Sequence, residues 1–303
     1  MSELIATKVI CEISGSGIFR TPYPLGQHIR GAFGELFYRM ESPVAKTFED
    51  TTPTVYYFRD ALPLHHDGVF LPEYTKEGTV YRCSTCKRLE RYVSQYHKIY
   101  RVSLDRETKR ASGFPQELRE GKFRFEIIVK EVEGSMEEML RALNFFREYG
   151  LRLGSAHNKG YCSFRLDYRT EPITVDHVVS RGSAIKNLGT NLKVHLLSDA
   201  IIRADIHNSI VTACKFFHDF GRFQTKVYTR NLVASKEVFF LDYKASKGAP
   251  GRVTQHAVPA GTVFELHLEN GEEAFYNSLA LAEQCYGFGA RVSAGKGHFR
   301  VVV

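Results

Sequence analysis

The stretches "EYGLRLGSAHNKGYCSFRL" (148–166) and "CYGFGARVSAGKGHFRVVV" (285–303) align without a gap at an offset of 137 residues. Tyr149-Gly150 falls on Tyr286-Gly287, and Lys159-Gly160 falls on Lys296-Gly297. Similarity at a fixed offset indicates that one structural unit occurs twice in the chain. The two stretches therefore predict an architecture of two similar units.

The same order of elements precedes both stretches. A strand with a Phe-Glu pair comes first ("FRFEIIV", 123–129, and "TVFELHL", 262–268), and a helix of apolar periodicity follows (136–150 and 273–287). Each copy thus reads strand, helix, glycine loop and strand. This order predicts an α+β fold with two ferredoxin-like (RRM-like, split βαβ) units in tandem. No GxGxxG opens a helix after a strand, which argues against a dinucleotide-binding domain.

The repeat also predicts domain boundaries. We expect an N-terminal domain over 1–169 and a C-terminal domain over 183–303, with the polar stretch 169–187 as a connection. The first domain carries a large insertion, about 42–121, which is rich in Tyr, Pro, His and basic residues. Its weak periodicity predicts insertions on one face of the unit.

Composition limits the classes of function. The chain has 303 residues, 43% of them apolar, which is enough for a real core. Its net charge of +7 favours polyanionic partners, although a basic soluble protein without such a partner is equally compatible with the charge. No apolar run of ~18 residues is present, and the first residues lack the pattern of a signal peptide. We expect a cytoplasmic protein without a membrane partner.

The two glycine loops, 154–160 and 289–297, are candidate phosphate-binding loops. Glycine lets backbone N–H groups approach an anion closely, and Lys or Arg supplies charge. The alternative is a pair of turns that simply require positive φ angles. The side chains and backbone expected to contact RNA in these loops are His157, Asn158, Lys159, Gly160, Arg291, Ser293 and Lys296.

The pair Cys83-x-x-Cys86 has the spacing of half a tetrahedral zinc site. A histidine among His65, His66 and His97 could complete it, while two free thiols are the alternative. The Arg, Lys and Tyr residues around the pair are a separate candidate for RNA contact, because guanidinium groups bind phosphates and phenol rings stack on bases. A solvated loop is the competing interpretation.

The stretch "PLGQHIRGAFGELFYR" (24–39) predicts a helix entered through Gly26 and bearing His28 and Arg30. As a general acid or base, His28 would need a partner such as Tyr23 or Lys46 near a scissile phosphate. A single histidine on a helix is more often a packing or surface residue.

These motifs, taken in order, resemble the repeat-associated mysterious proteins (RAMPs) of CRISPR effector complexes. The helix opening at 24–32 resembles a "Pro-Gly-Ser-x-Leu-Arg-Gly-Ala" motif, and Asp105, Arg106 and Thr108 resemble an "Asp-Arg-x-Thr" segment. Two C-terminal motifs of the family are also matched. The first, "Pro-x-Gly-Thr-x-Phe", is matched by Pro259, Gly261, Thr262 and Phe264. The second, "Gly-x-Gly-x-x-x-Ser-x-Gly-x-Gly", is matched by Gly287, Gly289, Ser293, Gly295 and Gly297.

The chain is most similar to Cas-five-like subunits of type III-D and related class 1 complexes. That resemblance implies a non-catalytic, RNA-binding subunit of an antiviral ribonucleoprotein. It would bind the 5′ handle of crRNA and cap the filament of Cas-seven-like backbone subunits, beside large or nuclease subunits. Gly26, His28, Arg30 and Arg106 join the expected RNA contacts on this basis.

The alternative is a Cas-six-like endoribonuclease that processes CRISPR repeat RNA without a metal ion. The resemblance to that family implies His28 as general acid or base, with Tyr23 beside it. Neither function requires a cofactor, so zinc at Cys83 and Cys86 would have a structural role.

Overall fold

The computed structural model describes residues 2–19, 21–48, 54–66, 68–104, 111–154, 162–202, 206–242 and 251–302. The chain forms two compact units. The N-terminal unit comprises Val9–Phe70 and Tyr81–Glu171, and the C-terminal unit comprises Met1–Lys8, Leu71–Val80 and Pro172–Val303. Compactness alone does not define a domain, so the boundaries at 169 and 183 stay a prediction.

In the described part of the first half there are two helices and ten strands. In chain order they are β1 (Leu4–Ile18), α1 (Gly26–Arg39), a 3₁₀ turn (Pro43–Phe48), β2 (Tyr56–Phe58), β3 (Leu62–His65), β4 (Gly68–Thr75), β5 (Gly78–Cys83), β6 (Leu89–Glu90), β7 (Gln95–Leu104), β8 (Ala111–Lys130), α2 (Ser135–Tyr149), β9 (Leu151–Arg152) and β10 (Ser163–Thr174).

Among the described residues of the second half there are three helices and six strands. They are α3 (Val175–Lys186), β11 (Asn191–Leu196), α4 (Ile206–Phe216), β12 (Lys226–Arg230), β13 (Lys236–Asp242), β14 (Gly251–Ala257), β15 (Val263–Glu269), α5 (Glu273–Leu281) with a π turn (Ala282–Tyr286), a 3₁₀ turn (Val292–Ala294) and β16 (Phe299–Val302).

Both halves have the same βαββαβ topology. In the first half β2 pairs with β8, β8 with β1 and β1 with β10. In the second half the sheet order is β12-β15-β11-β16. Numbered within each half, both orders are second, third, first and fourth strand, which is the ferredoxin-like arrangement. The prediction of two ferredoxin-like units is therefore confirmed.

Each half also carries extra strands between its second and third strands. In the first half these are β3 to β7, which extend the sheet on the β8 side, and β7 pairs with β8 over ten residue pairs from Gln95 to Leu104. In the second half they are the hairpin of β13 and β14. The stretch 42–121, which we expected to be an insertion, thus contains strands β2 to β7 and the first part of β8.

Aromatic side chains fill the core of the N-terminal unit. Phe33 of α1 meets Phe146 of α2 edge-on with ring centroids 4.8 Å apart, and it also contacts Phe58 of β2. All three rings are buried. Each such side chain contributes about 1.5–3 kcal/mol by leaving water, so these contacts hold both helices on the sheet.

The core of the C-terminal unit includes the end of the glycine loop. Phe288 stacks on Phe299 of β16 with ring centroids 3.7 Å apart, and both rings are fully buried beside Phe264 of β15. The loop is therefore anchored through its own aromatic residue.

The stretch 169–187, which we expected to connect the two halves, is mostly helix α3. The Thr174 hydroxyl accepts the His177 N–H as an N-cap. Only Val178, Gly182 and Ile185 are buried along the helix. This narrow apolar stripe, set among polar residues, explains why the sequence suggested a turn-rich linker.

No helix in the described part of the chain is long and apolar enough to cross a membrane.

Candidate functional site

Helix α1 begins at a buried carboxylate. The Gly26 N–H donates to Asp60 Oδ1 at 2.7 Å, and both residues are buried. Asp60 thereby satisfies one of the unpaired N–H groups at the helix start, and its negative charge suits the positive end of the helix dipole. The amide of Gly26, expected to contact RNA, thus has a partner within the N-terminal unit.

His28 also takes part in the start of this helix. The Leu25 N–H donates to His28 Nδ1 at 3.1 Å, and the half-buried ring lies 5.4 Å from the Phe19 ring. A nitrogen that accepts a hydrogen bond carries no proton, so the neutral ring has its proton on Nε2. Tyr23, the expected partner of His28, is 5% exposed and meets Tyr81 edge-on.

Arg30 reaches the 3₁₀ turn that follows the helix. Its guanidinium donates to the Phe48 carbonyl at 2.7 Å and lies 5.3 Å from the centre of the Phe48 ring. Phe48 also lies 3.0 Å from the place where a Cβ on Gly34 would sit. Gly34 therefore permits a close approach, whereas Gly31 is exposed with no atom near it.

The glycine loop of the C-terminal unit is built by internal hydrogen bonds. The N–H groups of Gly287, Phe288, Gly289 and Gly297 donate to other residues of the unit, at 2.6 to 3.0 Å. A Cβ on Gly297 would lie 1.8 Å from the Phe288 carbonyl oxygen, and the φ angle of Gly297 is 71°. These glycines are required by the packing of the loop.

Lys296 lies inside this loop. It is 2% exposed, and its ammonium is 3.6 Å from Asp199 Oδ2. Asp199 also binds Lys236 at 2.9 Å and accepts the Ala260 N–H at 3.0 Å. Burial raises the pKa of Asp199, but the charges of Lys296 and Lys236 outweigh burial and hold that pKa below its usual value. The structure thus gives Lys296 a buried carboxylate as its partner.

The tip of the same loop is more accessible. Arg291 adopts a left-handed backbone with φ of 62°, and it is half-exposed together with Ser293. Of the residues expected to contact RNA in this loop, these two lie at the surface and Lys296 does not. The remaining expected contacts, Arg106, His157, Asn158, Lys159 and Gly160, lie outside the described residues, as do Asp105 and Thr108.

A basic and aromatic surface lies on the insertion of the N-terminal unit. We call it the insert surface and define it by Arg91, Tyr92, Tyr96 and Lys98, all of which are exposed. Tyr92 is 76% exposed. Tyr96 and Lys98 are two positions apart along β7, so their side chains lie on the same face of the strand. The guanidinium of Arg119 lies 5.4 Å from the Tyr96 ring centre and orients it.

The insert surface is connected to the segment before α1. The Ser94 hydroxyl donates to the Pro22 carbonyl at 2.7 Å, and it accepts from Arg119 at 3.2 Å. The sequence indicated this region only through its composition. The pairing of β7 with β8, which brings Arg119 opposite Tyr96, could not be predicted from spacing.

The two cysteines of the Cys-x-x-Cys pair lie close together at the end of β5. Of the three histidines considered from the sequence, it is His65 that joins them, with its ligand atom and both sulfurs within 4.8 Å of one another. The hydrogen bond with His65 lowers the pKa of Cys83 to about 6; burial opposes this, and the N–H groups of Cys86 and Thr85 add to the lowering.

Comparisons with known proteins identify the fold. No family model matches the chain. No curated protein matches it either. Among solved structures, the Cas6 (TTHB231) product complex, from Thermus thermophilus, is 14% identical with a TM-score of 0.50, and the match covers 98% of this chain and 100% of that chain.

Two further structures are similar over nearly the whole chain. "An RAMP protein binding different RNA substrates" is 11% identical with a TM-score of 0.45, covering 98% of this chain and 100% of that chain. The product of a Cas6-related gene from Pyrococcus furiosus is 10% identical with a TM-score of 0.46, covering 98% of both chains.

At this level of identity, the likeness to Cas6 (TTHB231) shows a shared fold. The doubled ferredoxin-like fold that the sequence predicted is thus shared with a solved Cas6 protein.

Proposed function

We propose that this chain is a non-catalytic RNA-binding subunit of a CRISPR class 1 ribonucleoprotein, holding the 5′ handle of crRNA and capping the Cas-seven-like backbone subunits. One observation carries the RNA-binding part of the proposal. The doubled βαββαβ fold matches, over nearly all of both chains, a Cas6 protein whose structure is a product complex. The net charge of +7 is consistent with a polyanionic partner.

The insert surface supports this proposal chemically. Single-stranded RNA is bound by aromatic rings that stack on splayed bases and by cations that pair with phosphates. Tyr92 and Tyr96 supply exposed rings, and Arg91 and Lys98 supply charge. At the loop tip of the C-terminal unit, Arg291 and Ser293 supply a second polar and basic contact.

The hydrogen bond of His28 supports the non-catalytic form of the proposal. A general base needs a free lone pair, yet the Nδ1 lone pair of His28 accepts the Leu25 N–H. A general acid would be the imidazolium, which carries a proton on Nδ1 and would lose that bond. Either catalytic role would therefore require His28 to give up its hydrogen bond with the Leu25 N–H.

The alternative is metal-independent cleavage of repeat RNA with His28 as general acid or base. The observation that favours it is again the likeness to a Cas6 protein in a product complex. The two functions differ in one measurable result, the integrity of the RNA after binding.

The test uses the full chain and labelled CRISPR repeat RNA in buffer with a chelator. We expect binding that weakens with salt and leaves the RNA intact, both for the native chain and for His28→Ala. Tyr92→Ala should weaken binding by ~1–3 kcal/mol, because one stacked base loses its partner. Lys98→Ala should reduce the slope of log affinity against log salt by about 0.7.

The matched control is Arg39→Ala, because Arg39 is an exposed cation on α1 whose partner is Glu35, one helical turn away. This change should leave the salt slope unaltered. Site-specific cleavage that disappears in His28→Ala would overturn the non-catalytic proposal in favour of the nuclease. Binding no stronger than that of an unrelated basic protein would overturn both.

A further inference from the structure

The strongest unassigned cluster of the N-terminal unit is the group of His65, Cys83 and Cys86. His65 ends β3, Cys83 ends β5, and Cys86 lies in the turn between β5 and β6. The Cys86 sulfur is 3.5 Å from His65 Nδ1. Sulfur and nitrogen ligands of one tetrahedral zinc ion lie about 3.6 Å apart, given bond lengths of about 2.3 and 2.0–2.1 Å. The separation therefore fits two ligands of a single ion.

The backbone holds these ligands in place. The Cys83 N–H donates to the Arg88 carbonyl at 2.9 Å, and the Lys87 N–H donates back to the Cys83 carbonyl at 3.1 Å. This tight turn requires a left-handed backbone at Lys87, whose φ is 63°. The cysteines are thus presented by a closed turn at the end of a strand pair.

The strand beside the turn fixes it on the other side. The Ser84 N–H donates to the Val69 carbonyl at 2.9 Å, and the Ser84 hydroxyl accepts the Val69 N–H at 3.1 Å. A Cβ on Gly68 would lie 2.5 Å from the Thr85 hydroxyl oxygen, so glycine permits this close approach. His65 lies just before this strand, which explains why its ring faces the two sulfurs.

The donor set determines which ion would fit. Thiolate and imidazole ligands favour zinc over magnesium or calcium, which prefer oxygen ligands. Within the described ranges no fourth His, Cys, Asp or Glu joins the cluster. Cys83 is 1% exposed, whereas Cys86 is exposed. One side of the cluster is therefore open for a water molecule as the fourth ligand.

We propose that His65 Nδ1, Cys83 Sγ and Cys86 Sγ bind one Zn²⁺ ion, with water in the fourth position. The ion links β3 to β5 and to the turn before β6. It stabilises the insertion without taking part in any reaction, and the site does not depend on RNA binding.

The test is a titration of the reduced, full chain with Co²⁺, which reports zinc sites by absorption. We expect one Co²⁺ per chain, with the bands of tetrahedral cobalt and a thiolate-to-cobalt charge-transfer band. Cys86→Ser should lower the charge-transfer band by about half, because one of two thiolates is lost. Zn²⁺ should displace the cobalt and remove the bands.

Cys214→Ser is the matched control, because Cys214 is a partly exposed thiol of the C-terminal unit whose sulfur contacts the Ser278 hydroxyl. It should leave the spectrum unchanged. His65→Asn should weaken zinc binding at least about 10-fold, measured by competition with a chelator. Circular dichroism of each variant checks that it is folded.

Octahedral cobalt, or a charge-transfer band of equal strength in Cys86→Ser, would overturn the proposal. Unchanged zinc affinity in a folded His65→Asn variant would also overturn it, since the imidazole would then not be a ligand.

Discussion

Lys296 of the glycine loop forms an ion pair with the buried carboxylate of Asp199. Replacing Lys296 distinguishes a role in stability from a direct contact with RNA phosphate. Lys296→Met should lower the free energy of unfolding by about 1–3 kcal/mol, because Asp199 loses one of its charge partners while it remains buried. Lys236 and the Ala260 N–H still bind Asp199, so the loss should be smaller than for a fully orphaned charge. Urea unfolding measures the effect.

Lys226→Met is the control for this change. Lys226 is 72% exposed and lies 3.8 Å from Glu269, so its loss should cost no more than about 0.5 kcal/mol. The salt slope of RNA binding should be the same in Lys296→Met as in the native chain. A smaller slope with unchanged stability would show that Lys296 contacts phosphate directly, as its position in the sequence suggested.

His195 of β11 gives the C-terminal unit a dependence on pH. Burial lowers the pKa of His195, and the positive charge of Arg300 lowers it further. Two interactions raise this pKa: the Nε2–H donates to the Pro72 carbonyl at 2.6 Å, and the Glu73 carboxylate lies nearby. Burial has the larger effect. Because the folded pKa lies below the unfolded value, the unfolded chain binds the proton first. The stability that His195 contributes is therefore present above about pH 6.5 and is lost as the pH falls through the folded pKa.

We expect His195→Gln to flatten this dependence, because glutamine does not titrate. Unfolding by urea at about pH 7.5 and about pH 5.5 measures the difference, which should be larger for the native chain than for the variant. Equal losses in both proteins would show that other groups cause the acid sensitivity.

Two glycines in helices test how elements pack. Gly182 of α3 lies where an added Cβ would be 2.1 Å from Asn277 Oδ1 and 3.0 Å from the Asn277 backbone, whereas Gly31 of α1 faces open space. Alanine favours a helix by ~1 kcal/mol over glycine. Gly31→Ala should therefore raise the free energy of unfolding by up to that amount, and Gly182→Ala should lower it by ~1–3 kcal/mol through overpacking on α5.

Both variants change the same residue type in the same type of element, so each is the control for the other. Thermal unfolding compares them directly. A gain in stability in Gly182→Ala would show that α3 can move away from α5 at little cost.

At the scale of elements, the sequence predicted helices α1, α2 and α5 but neither α3 nor α4. The periodicity of 136–150 and 273–287 indicated α2 and α5, and both are present. Helix α3 is held instead by a specific pair, in which Arg181 binds Glu283 through two hydrogen bonds of 2.6 and 2.7 Å. Such a contact between residues far apart in the chain leaves no local pattern.

At the scale of the whole molecule, the internal repeat predicted the doubled fold because each copy retained its order of elements. The site was harder to predict. Glycine spacing identified the loop at 287–297, but the burial of Lys296 depends on Asp199, in another part of the chain. Similarly, Asp60 could not be assigned to the start of α1 before the fold brought them together.

The extra strands of the two halves occupy equivalent positions, between the second and third strands of each βαββαβ unit. That connection is a hairpin between antiparallel neighbours, so its length does not alter how the four core strands pair. Residues can therefore be added between the second and third strands while the pairing of the four core strands stays the same. Transplanting the residues between β12 and β15 into a related βαββαβ protein would also require a buried partner for Val238 and Ala257, which form a hydrophobic cluster with Ile201.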